Sequence, residues 1–169
     1  FMRKLYKFRV SYLMSFMAFI LLSIGSYAQV SAYSFNSSSG AYTAISGGIQ
    51  LHTGTTDDDI SAASGIGFTF NYNGTSYTNI KVNSNGWASF GTTTAGATYT
   101  PLSSTGTHHP CLAPLGRDLQ GNVGGDVRIE TTGIAPNRVS TVQWSDYRRY
   151  AGTQNFNFQI KLYETTNIV

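Results

Sequence analysis

Cysteine is almost missing from this chain. Cys111 is the only one in 169 residues, so no disulfide can form within the chain and no set of thiolates can build a structural zinc site. Long apolar runs are missing too. The longest, residues 13–24 (LMSFMAFILLSI), is 12 residues, too short for a helix to cross about 30 Å of hydrocarbon. Helical periodicity is nearly absent, and runs rich in Lys, Glu, Leu or Ala are few. There is no Gly-x-Ser-x-Gly nucleophile turn. The acidic residues Asp118, Asp126, Asp146, Glu130 and Glu164 are scattered, and no pair suggests the two carboxylates of a glycosidase.

What is present begins at the N-terminus. Arg3, Lys4, Lys7 and Arg9 form a basic head before the apolar run, and Gly25-Ser26-Tyr27-Ala28 places small residues just ahead of Gln29. This is the layout of a helical secretory signal peptide over residues 1–28, cut between Ala28 and Gln29. The mature part is then residues 29–169, one domain's worth of chain. All three methionines and four of the 11 Lys and Arg leave with the signal. Seven basic groups then face all eight acidic ones, a net charge of about −1. The basic pI therefore belongs to the removed segment. No basic stripe remains for a nucleic acid, and no membrane span remains after cleavage. No cysteine stands beside Gln29, which argues against a lipid-anchored protein. The destination is secretion or the cell surface.

The mature chain reads as short β-favouring runs between turn signals, the pattern of an all-β, two-sheet antiparallel β-sandwich. Ile66, Phe68, Phe70 and Tyr72 alternate with Gly67, Thr69 and Asn71, one face apolar and the other small or polar. Asn73-Gly74 is a hairpin turn, since both central residues must take positive φ. Tyr77 and Ile80 are an odd number apart, so the return strand is expected to bulge near Thr78-Asn79 or to twist so that Tyr77 lies at the edge. Asn83-Ser84-Asn85-Gly86 is the next turn, and residues 87–90 begin a third strand. A polar loop over 92–110 leads to a short strand over 111–115, and Gly121 to Gly125 reads as a turn. Residues 139–147 form another strand. Phe156, Phe158, Ile160 and Leu162 give the cleanest alternation of all. Residues 33–35, 42–45 and 49–52 also read as short strands. The expected core is Phe68, Phe70, Ile80, Val82, Phe90, Ile129, Val142, Trp144, Phe158 and Ile160. Ile168-Val169 looks like the start of a further strand, so the chain is expected to be truncated there.

Taken in order, IGFTFNYNGTSYTNIKVNSNGWASFG, CLAPLGRDLQG, GGDVRIETTGIAPNRVSTVQWSDYRRY and NFNFQIKLYETTNIV resemble the nidogen-type extracellular β domain. They are more similar still to N-terminal modules of large proteins secreted by Bacteroidetes-type bacteria, often cargo of the type IX secretion system. The likeness covers residues 33–169. Such modules carry an Asn-Gly turn after a strand, here Asn85-Gly86. After a loop they carry a PLW-D-DL segment, here Pro114-Leu115-Gly116-Arg117-Asp118-Leu119, with Gly116 and Arg117 where the pattern has Trp and an acidic residue. Relatives usually continue with another strand after the ETTN turn.

Few residues in this frame carry chemistry. Asp57-Asp58-Asp59 sits in a loop before the Ile66 strand. Hard oxygen ligands on a loop suit Ca²⁺, with Asp57 and Asp59 as the expected ligands. The spacing fits no EF-hand, and the competing reading is a solvated acidic turn. His108 and His109 with Cys111 suggest Zn²⁺, which needs three or four N or S ligands, and the competing reading is a chance polar loop with nothing else in sequence to complete the set; Cys111 reads as a small buried residue. Tyr147-Arg148-Arg149-Tyr150 is the candidate ligand platform, because Tyr and Arg suit binding hot spots; the competing reading is a strand end with solvated arginines. With no catalytic set and no required cofactor, the chain reads as a non-catalytic extracellular interaction or adhesion module whose partner is an extracellular carbohydrate or protein. The alternative is an accessory binding module of a secreted hydrolase whose catalytic domain lies beyond Val169.

Overall fold

The computed structural model describes residues 33–92, 96–103 and 108–169. The chain divides into two units, Phe1–Asn36 and Ser37–Val169, and every strand described belongs to the second. The expected signal helix and its cleavage site lie outside the described residues.

Eight strands appear among the described residues: β1 (Ile49–Thr53), β2 (Ser64–Tyr72), β3 (Thr75–Asn83), β4 (Trp87–Phe90), β5 (Cys111–Leu112), β6 (Leu119–Thr132), β7 (Val139–Arg149) and β8 (Phe156–Tyr163). They form two four-stranded sheets, ordered β1-β6-β7-β8 and β2-β3-β4-β5, and every pairing is antiparallel. The described residues are all-β, as the alternation predicts. No helix among the described residues is long and apolar enough to cross a membrane.

The core follows from period-2 patterning. Every second residue of β2, from Ser64 to Tyr72, is buried and the intervening ones are exposed. Phe70, Ile80, Val82, Phe90, Leu119, Val127, Ile129, Val142, Trp144, Ile160 and Leu162 join in one cluster drawn from both sheets. Burying each such side chain contributes about 1.5–3 kcal/mol. Phe158 is half-buried, its ring stacked 4.9 Å from Trp144. Polar ties also cross between the sheets. Trp144 Nε1 donates to the Asn83 carbonyl at 2.9 Å and Thr131 Oγ1 to the Ile66 carbonyl at 2.7 Å.

The structure departs from the sequence reading at five places. The irregularity expected at Thr78-Asn79 lies on β2 instead. Gly65 pairs with Asn79 and Phe70 with Tyr77, so β2 carries the extra residues while its Ile66 and Gly67 carbonyls accept bonds from Thr131 of β6 and from Arg138 just before β7. Gly121 to Gly125 is no turn between strands. It is a wide bulge within β6, since Gly121 pairs with Tyr147 and Asp126 with Ser145. Glycine is required there, because a Cβ on Gly121 would collide with the Gly54 carbonyl oxygen. The strand expected over 111–115 closes after Leu112, with Pro114 unable to extend it. Residues 42–45 are not a strand but an extended strap. Its backbone bonds to side chains of the sheet beneath: Ile45 N–H to Gln143 Oε1 at 2.9 Å, and Gln159 Nε2 to the Thr43 carbonyl at 2.8 Å. Residues 33–35 carry no strand and are exposed.

Candidate functional site

A cleft of about 340 Å³ opens where β6 begins and β7 ends, lined by Tyr99, Thr100, Gly116, Arg117, Asp118, Arg149 and Tyr150. Its floor is the segment before β6, and the turn after β3 holds that segment in place. Asn85 is fully buried. Its backbone carbonyl accepts the Arg117 N–H at 3.2 Å and its side-chain oxygen accepts the Leu119 N–H at 2.8 Å. The Gly86 carbonyl accepts the Leu115 N–H. The Asn-Gly turn therefore acts as a template for residues 115–119.

One wall comes from the end of β7. Leu119 pairs with Arg149, and the Tyr150 N–H donates to the Asp118 carbonyl at 3.0 Å. The opposite wall is the loop bearing Tyr99 and Thr100. Two rings that flank it in sequence anchor it: Trp87 Nε1 donates to the Thr98 carbonyl at 2.7 Å, and His108 Nε2 lies 2.8 Å from the Pro101 carbonyl. Trp87 and His108 also pack on each other, centroids 5.4 Å apart. Gly116 lets the loop pack closely on the floor, since a Cβ there would press on Pro101 at 3.0 Å and Ala113 at 3.2 Å.

Within the cleft, the Arg117 and Arg149 guanidiniums are exposed and make no hydrogen bond or ion pair among the described residues. Tyr99 and Tyr150 are about half exposed, at 51% and 56%. Two unpaired planar cations beside two accessible rings make a surface for hydrogen bonding and stacking.

The four residues expected to form a platform separate. Arg149 and Tyr150 line the cleft. Tyr147 is completely buried, because a bulge at Ser145-Asp146 shifts the register. Trp144 pairs with Phe158 and Tyr147 with Phe156, with Asp146 at φ 54°. Residues 144 and 147, three apart, therefore both face inward. Burial pushes the Tyr147 hydroxyl well above the usual tyrosine range, with the Asp126, Asp59 and Asp57 carboxylates adding to the shift. Arg148 is half-buried and engaged, donating to the Gly152 carbonyl at 3.2 Å and to Gln120 Oε1 at 3.0 Å. Nothing in the sequence marks Tyr99 or Thr100, and Arg117 stands out there only as a departure from the family pattern. They lie in loops without periodicity, and only the Trp87 and Asn85 contacts bring them together.

The acidic loop also divides. Asp57, Asp58 and Asp118 each place a carboxylate oxygen within 4.8 Å of the other two. Burial, then the charges of Asp58 and Asp118, raise the Asp57 carboxyl above its ordinary value, and its Oδ1 is buried without a partner among the described residues. Asp58 takes the left-handed conformation, φ 47°, and accepts Asn85 Nδ2 at 2.8 Å. Asp59 turns instead towards His52, 3.4 Å away, and accepts its own neighbour's N–H, that of Ile60, at 2.8 Å. The three gathered carboxylates offer hard oxygens to a cation such as Ca²⁺. Six to eight are needed, so backbone carbonyls and water would have to supply the rest.

The Cys111 thiol lies 3.6 Å from His109 Nδ1. It is buried and burial pushes its pKa up, the reverse of the depressed value that activates a nucleophile.

In comparison with known proteins, residues 32–169 match the family described as NIDO related. No curated protein and no solved structure matches the chain.

Proposed function

The chain belongs to the NIDO-related family, and on that premise we propose that it is a non-catalytic interaction module, secreted or displayed at the cell surface, whose ligand docks in the cleft between Arg117 and Arg149. The observation that carries this reading is the pair of guanidiniums, unpartnered among the described residues and flanked by the exposed rings of Tyr99 and Tyr150. Arginine and tyrosine are the residues that concentrate binding energy at contact surfaces. The basic head and apolar run of residues 2–28 support the extracellular placement. The buried thiol with its raised pKa supports binding rather than acyl transfer.

The partner is an extracellular carbohydrate or protein, held by stacking on tyrosine and by donors from arginine. An array of glycans and matrix proteins, probed with the secreted chain and with Tyr150→Ala, tests this. The wild type is expected to retain a ligand that Tyr150→Ala loses, with no turnover on peptide, ester or glycoside panels. Turnover abolished by changing Cys111, His108 or Asp118 would overturn the non-catalytic reading.

A further inference from the structure

We propose that the cleft selects an acidic saccharide of the hexuronate class, with one carboxylate per ring and free neighbouring hydroxyls. This inference rests on the cleft being the binding site.

The argument starts from charge. Arg117 and Arg149 line one cleft, are exposed, and have no carboxylate or carbonyl to satisfy them among the described residues. A guanidinium offers a planar fork of donors that matches a carboxylate in a bidentate pair. The same cleft also contains one acidic group, Asp118, whose carboxylate lies within 4.8 Å of those of Asp57 and Asp58. The rim on that side is thus strongly negative, with three carboxylates gathered together.

These two facts together narrow the ligand. A neutral saccharide leaves both guanidiniums without a charged partner. A dense polyanion, such as a polysulfate or a nucleic acid strand, satisfies the arginines but sets further negative charges against the three aspartates, and like charges this close are costly. A ring with a single carboxylate avoids both penalties. Its carboxylate meets Arg117 and Arg149, a neighbouring hydroxyl donates to Asp118, and an apolar ring face rests on Tyr99 or Tyr150, both about half exposed. The volume, about 340 Å³, is at the small end of the range for small-molecule sites of about 300–1,000 Å³, in keeping with a short stretch of glycan.

The test is calorimetric titration of the secreted chain with trigalacturonate, its carboxyl-reduced neutral counterpart, dextran sulfate and polyglutamate. Trigalacturonate is expected to bind at least about tenfold more tightly than the other three, with affinity falling as salt rises. Arg117→Gln and Arg149→Gln should each weaken it by about tenfold or more while keeping the wild-type melting temperature, since neither side chain has a partner to lose among the described residues. Asp118→Asn should narrow the gap to dextran sulfate. Preferential binding of the neutral trimer, dextran sulfate or polyglutamate, lost on Tyr150→Ala, would overturn the hexuronate assignment and leave the cleft standing. Trigalacturonate binding unchanged in both arginine variants would remove the cleft itself.

Discussion

Asn85 reaches out from a fully buried position to accept the Leu119 N–H on its side-chain oxygen at 2.8 Å. Its side-chain nitrogen donates to Asp58 Oδ1, also at 2.8 Å. One side chain thus fixes both the floor of the cleft and the acidic loop beside it. Replacing Asn85 by Ala leaves the Leu119 N–H unsatisfied in a buried setting, and a cost of about 2–4 kcal/mol is expected from the two lost bonds. Urea unfolding measures it. The variant should also lose ligand binding, because residues 115–119 lose their template. Asn85→Asp keeps the acceptor but sets a further carboxylate against Asp58, already close to Asp57 and Asp118, so it should be less stable at neutral pH than in mild acid.

Asp57 gives a pH dependence of definite sign. Its carboxyl is raised above the ordinary value by burial and by the charges of Asp58 and Asp118, so the folded chain binds that proton more tightly than the unfolded chain does. Its contribution is most favourable below the unfolded pKa, declines as pH rises to the folded pKa, and is flat above it. Asp57→Asn should abolish that decline and raise the urea midpoint at neutral pH in the presence of a chelator. Adding Ca²⁺ extends the experiment. A rise in the wild-type midpoint that Asp57→Asn does not show assigns the three carboxylates to a cation, and no change leaves them a solvated acidic turn.

Glu164 has the opposite sign. Arg138 donates to it through both Nε and Nη2 and through its backbone N–H, and these bonds hold the Glu164 carboxyl below its ordinary value. Arg138 also donates to the Gly67 carbonyl at 2.6 Å and lies over the Phe68 ring, so the pair clamps the end of β8 to β2 in the other sheet. Its stabilisation is present above the unfolded pKa of Glu164 and is lost as pH falls through the lowered folded value. Glu164→Gln is expected to be less stable than the wild type at pH 7 and to converge with it in acid, as followed by denaturant melts across the acid range.

Gly86 supplies a backbone test of the template turn. It sits at φ +73°, and a methyl there would lie 2.9 Å from Leu119 Cδ1 and 3.2 Å from Phe158 Cζ. Gly86→Ala should cost about 1–2 kcal/mol from the left-handed backbone alone, plus whatever Leu119 and Phe158 must yield. Gly86→Asn should suffer less backbone strain, because Asn tolerates that region. An Ala variant as stable as the wild type would count against the template.

Much of the fold was legible because alternation is a local signal. Ile66 to Tyr72 and the run ending at Leu162 declare their inward faces in the residue order, and nine of the ten expected core residues are buried, with Phe158 half-buried. The two expected sheets are both present. Bulges were not legible in the same way, since their position depends on which strand the partner sheet pulls. Gly67 bends to meet Arg138, and the Ser145-Asp146 bulge turns Tyr147 into the core. The site was only half legible. Arg149 and Tyr150 stood out as an aromatic and cationic pair, but their partners Tyr99 and Arg117 come from loops brought there by Trp87 and Asn85. Likewise, Asp118 lies some sixty residues beyond Asp57 and Asp58, so no spacing in the sequence announces that the three meet.

The central claim is that ligand docks between Arg117 and Arg149. Nuclear magnetic resonance titration of the ¹⁵N-labelled secreted chain with a ligand captured on the arrays tests it most directly. The account predicts that shift changes concentrate on the amides of Tyr99, Thr100, Arg117, Asp118, Arg149 and Tyr150 and leave the β6–β7 hairpin around Ile134 unmoved. Changes centred on that hairpin or on the strap over residues 42–47, with the cleft silent, would contradict it.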